Sequence, residues 1–232
     1  MKDIKIIQVA YSFEKGGAGA AARNVCQILE TRYDIKTISA LGFCSNEEFS
    51  MQVKYTTWFI LRVFEHLLTG FLFRNFNVKQ SLNPFSSPRI RKLLREAKPR
   101  SIFHFHWINN DSISVSDLKS IPPFSLITLH DEWLITGTSH YDISSNFDPR
   151  PSGKMTQYQS NIDGWLRRNK AIAIHKIVNP YIICPSSWLR DRVVASGLFN
   201  PNNIHIVPNI IDTDVFYPCS DESELRTLRT KY

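Results

Sequence analysis

Cysteine is scarce. The 232-residue chain has four, Cys26, Cys44, Cys184 and Cys219, set far apart with no C-x-x-C pair. That excludes a disulfide framework and a zinc knuckle, and it fits a reducing cytosol. The opening residues MKDIKIIQVAY hold too short an apolar run for a secretory signal, and they read as a first strand. The most apolar stretch, 56–76, is interrupted by Arg62, Glu65 and His66 and makes a poor membrane span. Internal repeats and low-complexity tracts are absent. So is one carboxylate. A nicotinamide or flavin dehydrogenase wants an acidic residue at the end of its second strand, about 20 residues after the glycines of the first loop. Here that place reads Ala40-Leu41-Gly42-Phe43.

What is present is an ordinary soluble composition, with 43% hydrophobic and 21% charged residues. The length suffices for one large domain or two small ones. The net charge is +7. A basic balance favours an anionic partner: a phosphorylated lipid, a membrane surface, a nucleotide or a nucleic acid.

Short apolar runs bounded by polar breaks predict strands over 4–11, 35–41, 102–105, 126–129, 181–184 and 204–207. Helical patterns lie between them. One runs from about 18 to 31, with Ala20, Ala21, Ala22, Val25 and Leu29 on its packing face. Ser87 and Pro88 start another as N-cap and first helical residue. Ser186 or Ser187 caps a later one, which Gly197 closes. This alternation predicts a doubly wound α/β sandwich on a parallel sheet, a Rossmann-like fold. Residues 142–161 are polar and rich in Ser, Pro and Asn, and they read as a long loop over the site.

The chemistry concentrates in 101–141. Two of the predicted strands end in histidine: His104 and His106 close one, and His130 followed by Asp131 closes the next. Ligands of open α/β sheets sit beyond the carboxyl ends of the strands, so His106, Trp107, His130 and Asp131 are expected to face one cleft. The loop SFEKGGAGA after the first strand adds Gly16, Gly17 and Gly19. These let a ligand approach the backbone closely, and a following helix N-terminus favours an anion. A histidine at a strand end is equally well explained as a buried core or rim residue. In 56–76, Ile60, Val63, Phe64, Leu67, Leu68 and Phe71 recur at helical spacing. The preferred reading packs this stripe on the core or on a partner domain. The other is an interfacial helix with Arg62 and Arg74 near lipid headgroups.

The motifs GGAGAAARNV, FHFHWIN, TLHDEWLITGTSHY, CPSSWLRDRVVASGLF and IHIVPNIIDTDVFYP follow in the order and spacing of family-4 retaining glycosyltransferases. They resemble in particular the branch that builds colanic acid and other bacterial exopolysaccharides. The resemblance implies a GT-B architecture, two Rossmann-like domains facing across a cleft, with this chain similar to the N-terminal, acceptor-side one. By the same resemblance His130 reaches the transferred sugar and joins Asp131 as the catalytic pair. Gly16 and Gly17 lie against the donor diphosphate and acceptor. Trp133 follows in the same motif. Asn209 and Asp212 match a Pro-Asn-Gly-Ile-Asp hinge in which Ile210 here replaces glycine. The branch usually carries cysteines after the TGTSHY position, whereas none lies between Cys44 and Cys184 here.

The implied organisation is a Rossmann-like domain over 1–209 and a hinge with the start of a second domain over 210–232. That second domain would begin just after Pro218, and fourteen residues follow it here. The resemblance implies a nucleotide-sugar donor, an oligosaccharide or lipid-linked acceptor, no cofactor, no metal and no nucleic acid. The scattered cysteines point to a cytoplasmic protein, and the 56–76 helix with the +7 charge adds an expected peripheral contact with the inner face of an anionic membrane; a second-domain chain is a further expected partner. Two other readings compete. One is a non-catalytic module that binds acceptor or completes a cleft with another chain. The other is a metal hydrolase using His104, His106, His130, Asp131 and His140, since alternate residues of a strand share a face.

Overall fold

The computed structural model describes residues 5–42, 49–97, 101–141 and 155–213, with isolated positions 216, 225, 226, 229 and 230. Six strands form one parallel sheet: β1 (Lys5–Ala10), β2 (Asp34–Ser39), β3 (Ser101–His106), β4 (Leu126–Thr128), β5 (Tyr181–Cys184) and β6 (Ile204–Ile206). Their spatial order is β2-β1-β3-β4-β5-β6. Every pairing is parallel. This is the expected Rossmann-like α/β sheet, the arrangement of a GT-B N-terminal domain. The order reverses between β1 and β3, the place where such sheets open a ligand crevice. The register brings Ser39, Ala10, His106 and Thr128 into one row across the carboxyl edge.

The central strands are buried on both faces. On β3, Phe103 and Phe105 stack on one side with ring centroids 6.4 Å apart, and His104 and His106 lie 4.0 Å apart on the other. All four are buried. Five helices cover the sheet: α1 (Gly16–Glu30), α2 (Phe49–Leu72), α3 (Pro88–Arg95), α4 (Gln157–Ile174) and α5 (Ser187–Ser196). Local signals explain their ends. Thr156 and Gln159 form a reciprocal capping box at α4. Ser186 caps α5, and Gly197 ends it in the left-handed conformation with φ +66°. Ser87 and Pro88 begin α3 as expected, but the Ser87 hydroxyl makes no cap bond.

Two helical expectations are corrected. First, α1 begins at Gly16, so the glycines belong to its first turns and not to a free loop. Its inner residues are Gly19, Ala21, Ala22 and Cys26, while Val25 and Leu29 are only half-buried. Small side chains at 19, 22 and 26 share one helical face, and this lets the helix ride close to the β1 loop. Second, α2 does not bury the stripe read from the sequence. Its inner face is Tyr55, Trp58, Glu65 and Thr69, with Phe73 buried just past its end, whereas Ile60, Phe64, Leu67 and Phe71 stand in the open. Polar bonds select that inner face. The Trp58 indole donates to the Asp111 carbonyl at 2.9 Å, and Glu65 accepts from the Leu82 amide at 3.0 Å. Of the predicted loop over 142–161, residues 142–154 lie outside the described residues, while 157–161 are helical instead, the first turn of α4 set by the Thr156 capping box. The first residue of the predicted first strand and most of the chain after 213 also lie outside the described residues.

Candidate functional site

The site is built on the carboxyl edge of β1, β3 and β4. Among the described residues, the loop after β3 holds three of the six non-glycine residues with positive φ: Trp107, Asn110 and Asp111 at +43°, +53° and +55°. Asn and Asp tolerate the left-handed region, but a bulky tryptophan there needs outside support, at a cost of about 1–3 kcal/mol. Asp131 supplies it. One carboxylate oxygen accepts from the Trp107 indole at 2.5 Å, from Asn109 at 3.1 Å and from His140 Nδ1 at 2.6 Å. The other accepts from the Trp133 amide at 3.0 Å. Burial pushes the carboxyl up, and the His140, Trp107 and Trp133 hydrogen bonds outweigh it and hold the group below its ordinary value. With both oxygens occupied inside the fold, Asp131 is an anchor for the loop and does not present a free base to the cleft.

His140 passes the connection on, since its Nε2 lies 2.8 Å from the Ser81 hydroxyl. This gives an Asp131-His140-Ser81 sequence of contacts, reminiscent of a hydrolytic triad. Ser81 and His140 are both buried. The chain of contacts therefore ties 79–81 to 131–140. The Trp133 indole donates to the Ser81 carbonyl at 2.9 Å and completes that tie. Trp133 is fully buried, with the Lys170 ammonium 3.9 Å from its ring centre, so it backs the site and does not line an open cleft. The neighbouring Glu132 forms a buried ion pair with Arg192, which locks the segment to α5.

The histidines form a row beneath the cleft. His104 Nε2 meets the Thr128 hydroxyl at 2.7 Å, and His106 Nε2 meets Gln8 Oε1 at 2.8 Å. The His106 and His130 ring centres are 6.0 Å apart. Burial lowers all three, with His104 at about 4 and His106 well below the usual value, so they are neutral imidazoles at pH 7. His106 Nδ1, His130 Nε2 and Gln8 Nε2 are buried polar atoms with no hydrogen-bond partner among the described residues. Such atoms are rare in folded proteins and point to a polar ligand or solvent. No group of three His, Cys, Asp or Glu converges on a metal position among the described residues. His130 itself is half-buried, and the enclosed space beside it and Asp131 is only about 10 Å³.

Around this row stand groups that the sequence did not single out. The Tyr11 ring meets Trp107 edge-on at 5.8 Å across the β1–β3 switch point. Lys79 sits 4.7 Å from the centre of the Trp107 ring and donates to Asn110 at 2.7 Å. Gln8 points from β1 into the histidine row. Asn24 on α1 donates to the Ile210 carbonyl at 2.8 Å, bringing the segment after β6 back to the cleft. None of these carries a local signal, because each is recruited by pairing of distant strands. Asn209 is exposed beside that contact. Gly16 and Gly17 are exposed at the α1 N-terminus, where an added Cβ would meet nothing within 4 Å. Gly19 is different, since its Cβ would fall 2.6 Å from the Ser12 carbonyl oxygen. It serves packing, not ligand approach. Ser12 in turn caps the Glu14 and Lys15 amides at 3.1 Å each, shaping the turn into α1. Beyond it, Ser12, Lys15, Arg23, Glu30, Ser39 and Leu41 border a cavity of about 630 Å³ with a mixed polar and apolar lining.

The family-model comparison matches the chain over residues 15–215 to Glycosyltransferase Family 4. The chain belongs to this family. The match spans the glycine turn, the histidine row and the Asn209 segment, so the cleft just described falls within the glycosyltransferase domain. No curated protein matches the chain at a significant level. A glycosyltransferase role with sugar donor and acceptor substrates follows from the family. Among the described residues no helix is long and apolar enough to cross a membrane.

Proposed function

We propose that this family-4 domain transfers a sugar from a nucleotide sugar to an oligosaccharide during polysaccharide assembly, with retention of configuration and in an exopolysaccharide pathway. The observation that carries the residue assignment is the unpartnered His130 Nε2 beside His106 at the switch-point cleft. A neutral imidazole there can exchange a hydrogen bond with a sugar hydroxyl without adding charge. The exposed first turn of α1, with Gly16 and Gly17, supplies amides and a positive dipole end for the donor diphosphate. Trp107 offers an aromatic face to the acceptor, and Ser12, Thr37 and Ser39 in the cavity at the ends of β1 and β2 give its hydroxyls partners. Asp131 positions Trp107. Leaving-group stabilisation needs preorganised positive charge close to the diphosphate. A second α/β unit, on this chain or another, closes over the cleft to supply it, with Asn209 and Asp212 at the hinge. The acceptor is lipid-linked, and the protein works peripherally at the cytoplasmic face of a membrane.

The test is transfer by the domain together with its donor-binding unit, using labelled nucleotide sugars. His130→Ala is expected to lower kcat by roughly 10²-fold or more, the scale of one lost transition-state contact. Unchanged turnover in that variant would overturn the assignment. Oligosaccharide binding with no transfer from any nucleotide sugar would favour a binding module instead.

A further inference from the structure

We propose that the outer face of α2, together with the basic groove between α2 and α3, is the surface that docks on an anionic lipid bilayer. This deepens the peripheral-membrane reading above and rests on it for the location of the reaction. Ile60, Phe64, Leu67 and Phe71 are 62%, 61%, 67% and 67% exposed, and the Arg74 guanidinium lies 5.7 Å from the centre of the Phe71 ring. They recur at spacings of four, three and four residues, so they form a single ridge along the helix. Large apolar ridges of this kind mark interaction surfaces on soluble domains.

Charge selects the occupant. The one acid of α2, Glu65, is turned inward and bonded to Thr69 and the Leu82 amide, which leaves the exposed surface of α2 without an acidic side chain. Along its flank runs a groove of about 620 Å³ against α3, lined by Leu61 and Phe85 and by the cations Lys54, Lys92 and Arg95, with a single acid, Glu96. Farther along, Leu68 and Leu72 lie seven and eleven residues after Leu61, on that same flank. There they border a second apolar groove with Trp165, Tyr158 and Lys176. Trp165 and Tyr158 are 62% and 63% exposed. Apolar ridge, flanking cations and amphipathic aromatics match the layering of an anionic lipid interface. A protein partner of ordinary composition has no need of so one-signed a rim. The opposite face of α2 reaches the site, with the Arg62 guanidinium 5.0 Å from the centre of the Tyr11 ring. One helix thus separates the cleft from the docking ridge.

The experiment is co-sedimentation of the full 232-residue chain, without substrates, with phosphatidylcholine vesicles and with vesicles that also contain phosphatidylglycerol. Binding to the mixed vesicles is expected to exceed binding to the neutral ones by about tenfold at low salt and to fall as salt is added. Phe64→Glu with Leu67→Glu should abolish it, and Lys92→Glu with Arg95→Glu should weaken it about tenfold. The ridge is solvent-exposed, so these variants should unfold at the wild-type temperature. Phe64→Ser with Leu67→Ser is the milder pair if the glutamates disturb folding, and it should also lose binding. Equal binding to both vesicle types overturns the proposal. So does binding that survives the ridge variants, which would leave the membrane reading in place with a different surface. A concentration-dependent dimer dissolved by Phe64→Glu would assign the ridge to a second copy and also overturn it. None of these outcomes depends on sugar transfer.

Discussion

His104 shows how burial sets chemistry at a single residue. Its ring has a Thr128 hydroxyl on one side and the His106 ring 4.0 Å away on the other. Burial first, and His130 second, lower it to about 4. The unfolded chain therefore binds its proton at higher pH than the folded one. Stability is fully present above about pH 6.5 and is lost as the pH falls toward about 4, by roughly 1.4 kcal/mol per pH unit for such a group. His106 and His130 are lowered too and act in the same direction. Asp111 opposes them, since burial and then Glu65 raise it to about 7, and its folded form gains a proton over this range. Three imidazoles against one carboxyl leave a net loss on acidification. The expected outcome is a Tm that falls between pH 6.5 and pH 5 in wild type. In His104→Gln, which keeps a partner for Thr128, the fall should be shallower by about one proton's worth. Parallel Tm–pH curves for the two proteins would contradict this. Cys26 and Cys184 are inert by the same physics, as burial raises both to about 11.

At the scale of elements, α1 is positioned by one close approach. A Cβ on Gly19 would lie 2.6 Å from the Ser12 carbonyl, a backbone atom that cannot rotate away. Gly19→Ala should therefore push the helix off the β1 loop and cost about 1–3 kcal/mol, as overpacking does. Gly17→Ala is the contrasting case, because nothing stands within 4 Å of its Cβ. Removing a helical glycine there should raise stability by about 0.5–1 kcal/mol. Thermal unfolding of the two variants compares them directly, and equal shifts would refute the packing role. The spacing G-G-x-G reads as one motif in sequence, yet its glycines do two different jobs. The α2 helix carries a parallel lesson. Periodicity located its apolar stripe correctly, but Trp58 and Glu65 turn the other side inward through bonds to Asp111 and Leu82. Those partners lie 53 and 17 residues away along the chain, beyond any local window.

For the whole molecule, the proposed chemistry depends on a surface that faces the cleft. The first turn of α1 ends on solvent, with Lys15 at its N-cap and Arg23 bordering the adjoining cavity, and Lys79 is held over Trp107 and bonded to Asn110. A diphosphate in so open a place is not stabilised as a leaving group until preorganised positive charge closes around it. The 232-residue chain by itself is therefore expected to bind phosphate weakly at the α1 N-terminus and to show negligible sugar transfer. Titration of phosphate by NMR and a turnover assay check the two halves of this statement. Robust turnover by the chain unaided would mean that a donor site exists elsewhere on it.

Sequence alone determined the order of the strands and the histidines at the carboxyl edge of the sheet. Strand content follows from short apolar runs such as KIIQVA and YIIC, and helix ends follow from Ser186, Gly197, Ser87 and Pro88. These are local effects, carried by residues a few positions apart, and a parallel α/β sheet with histidines at its carboxyl edge is their direct consequence. Which atoms remain open was decided only by the fold. His106 and Asp131 read alike as polar residues after strands. In three dimensions Asp131 is fully engaged by Trp107, Asn109, Trp133 and His140, while His106 keeps a free ring nitrogen and His130 another. The partners come from segments up to 98 residues distant, as with Gln8 and His106. A hydrogen bond is satisfied or left unmade by what the chain brings within about 3 Å, and only the packed sheet sets that distance.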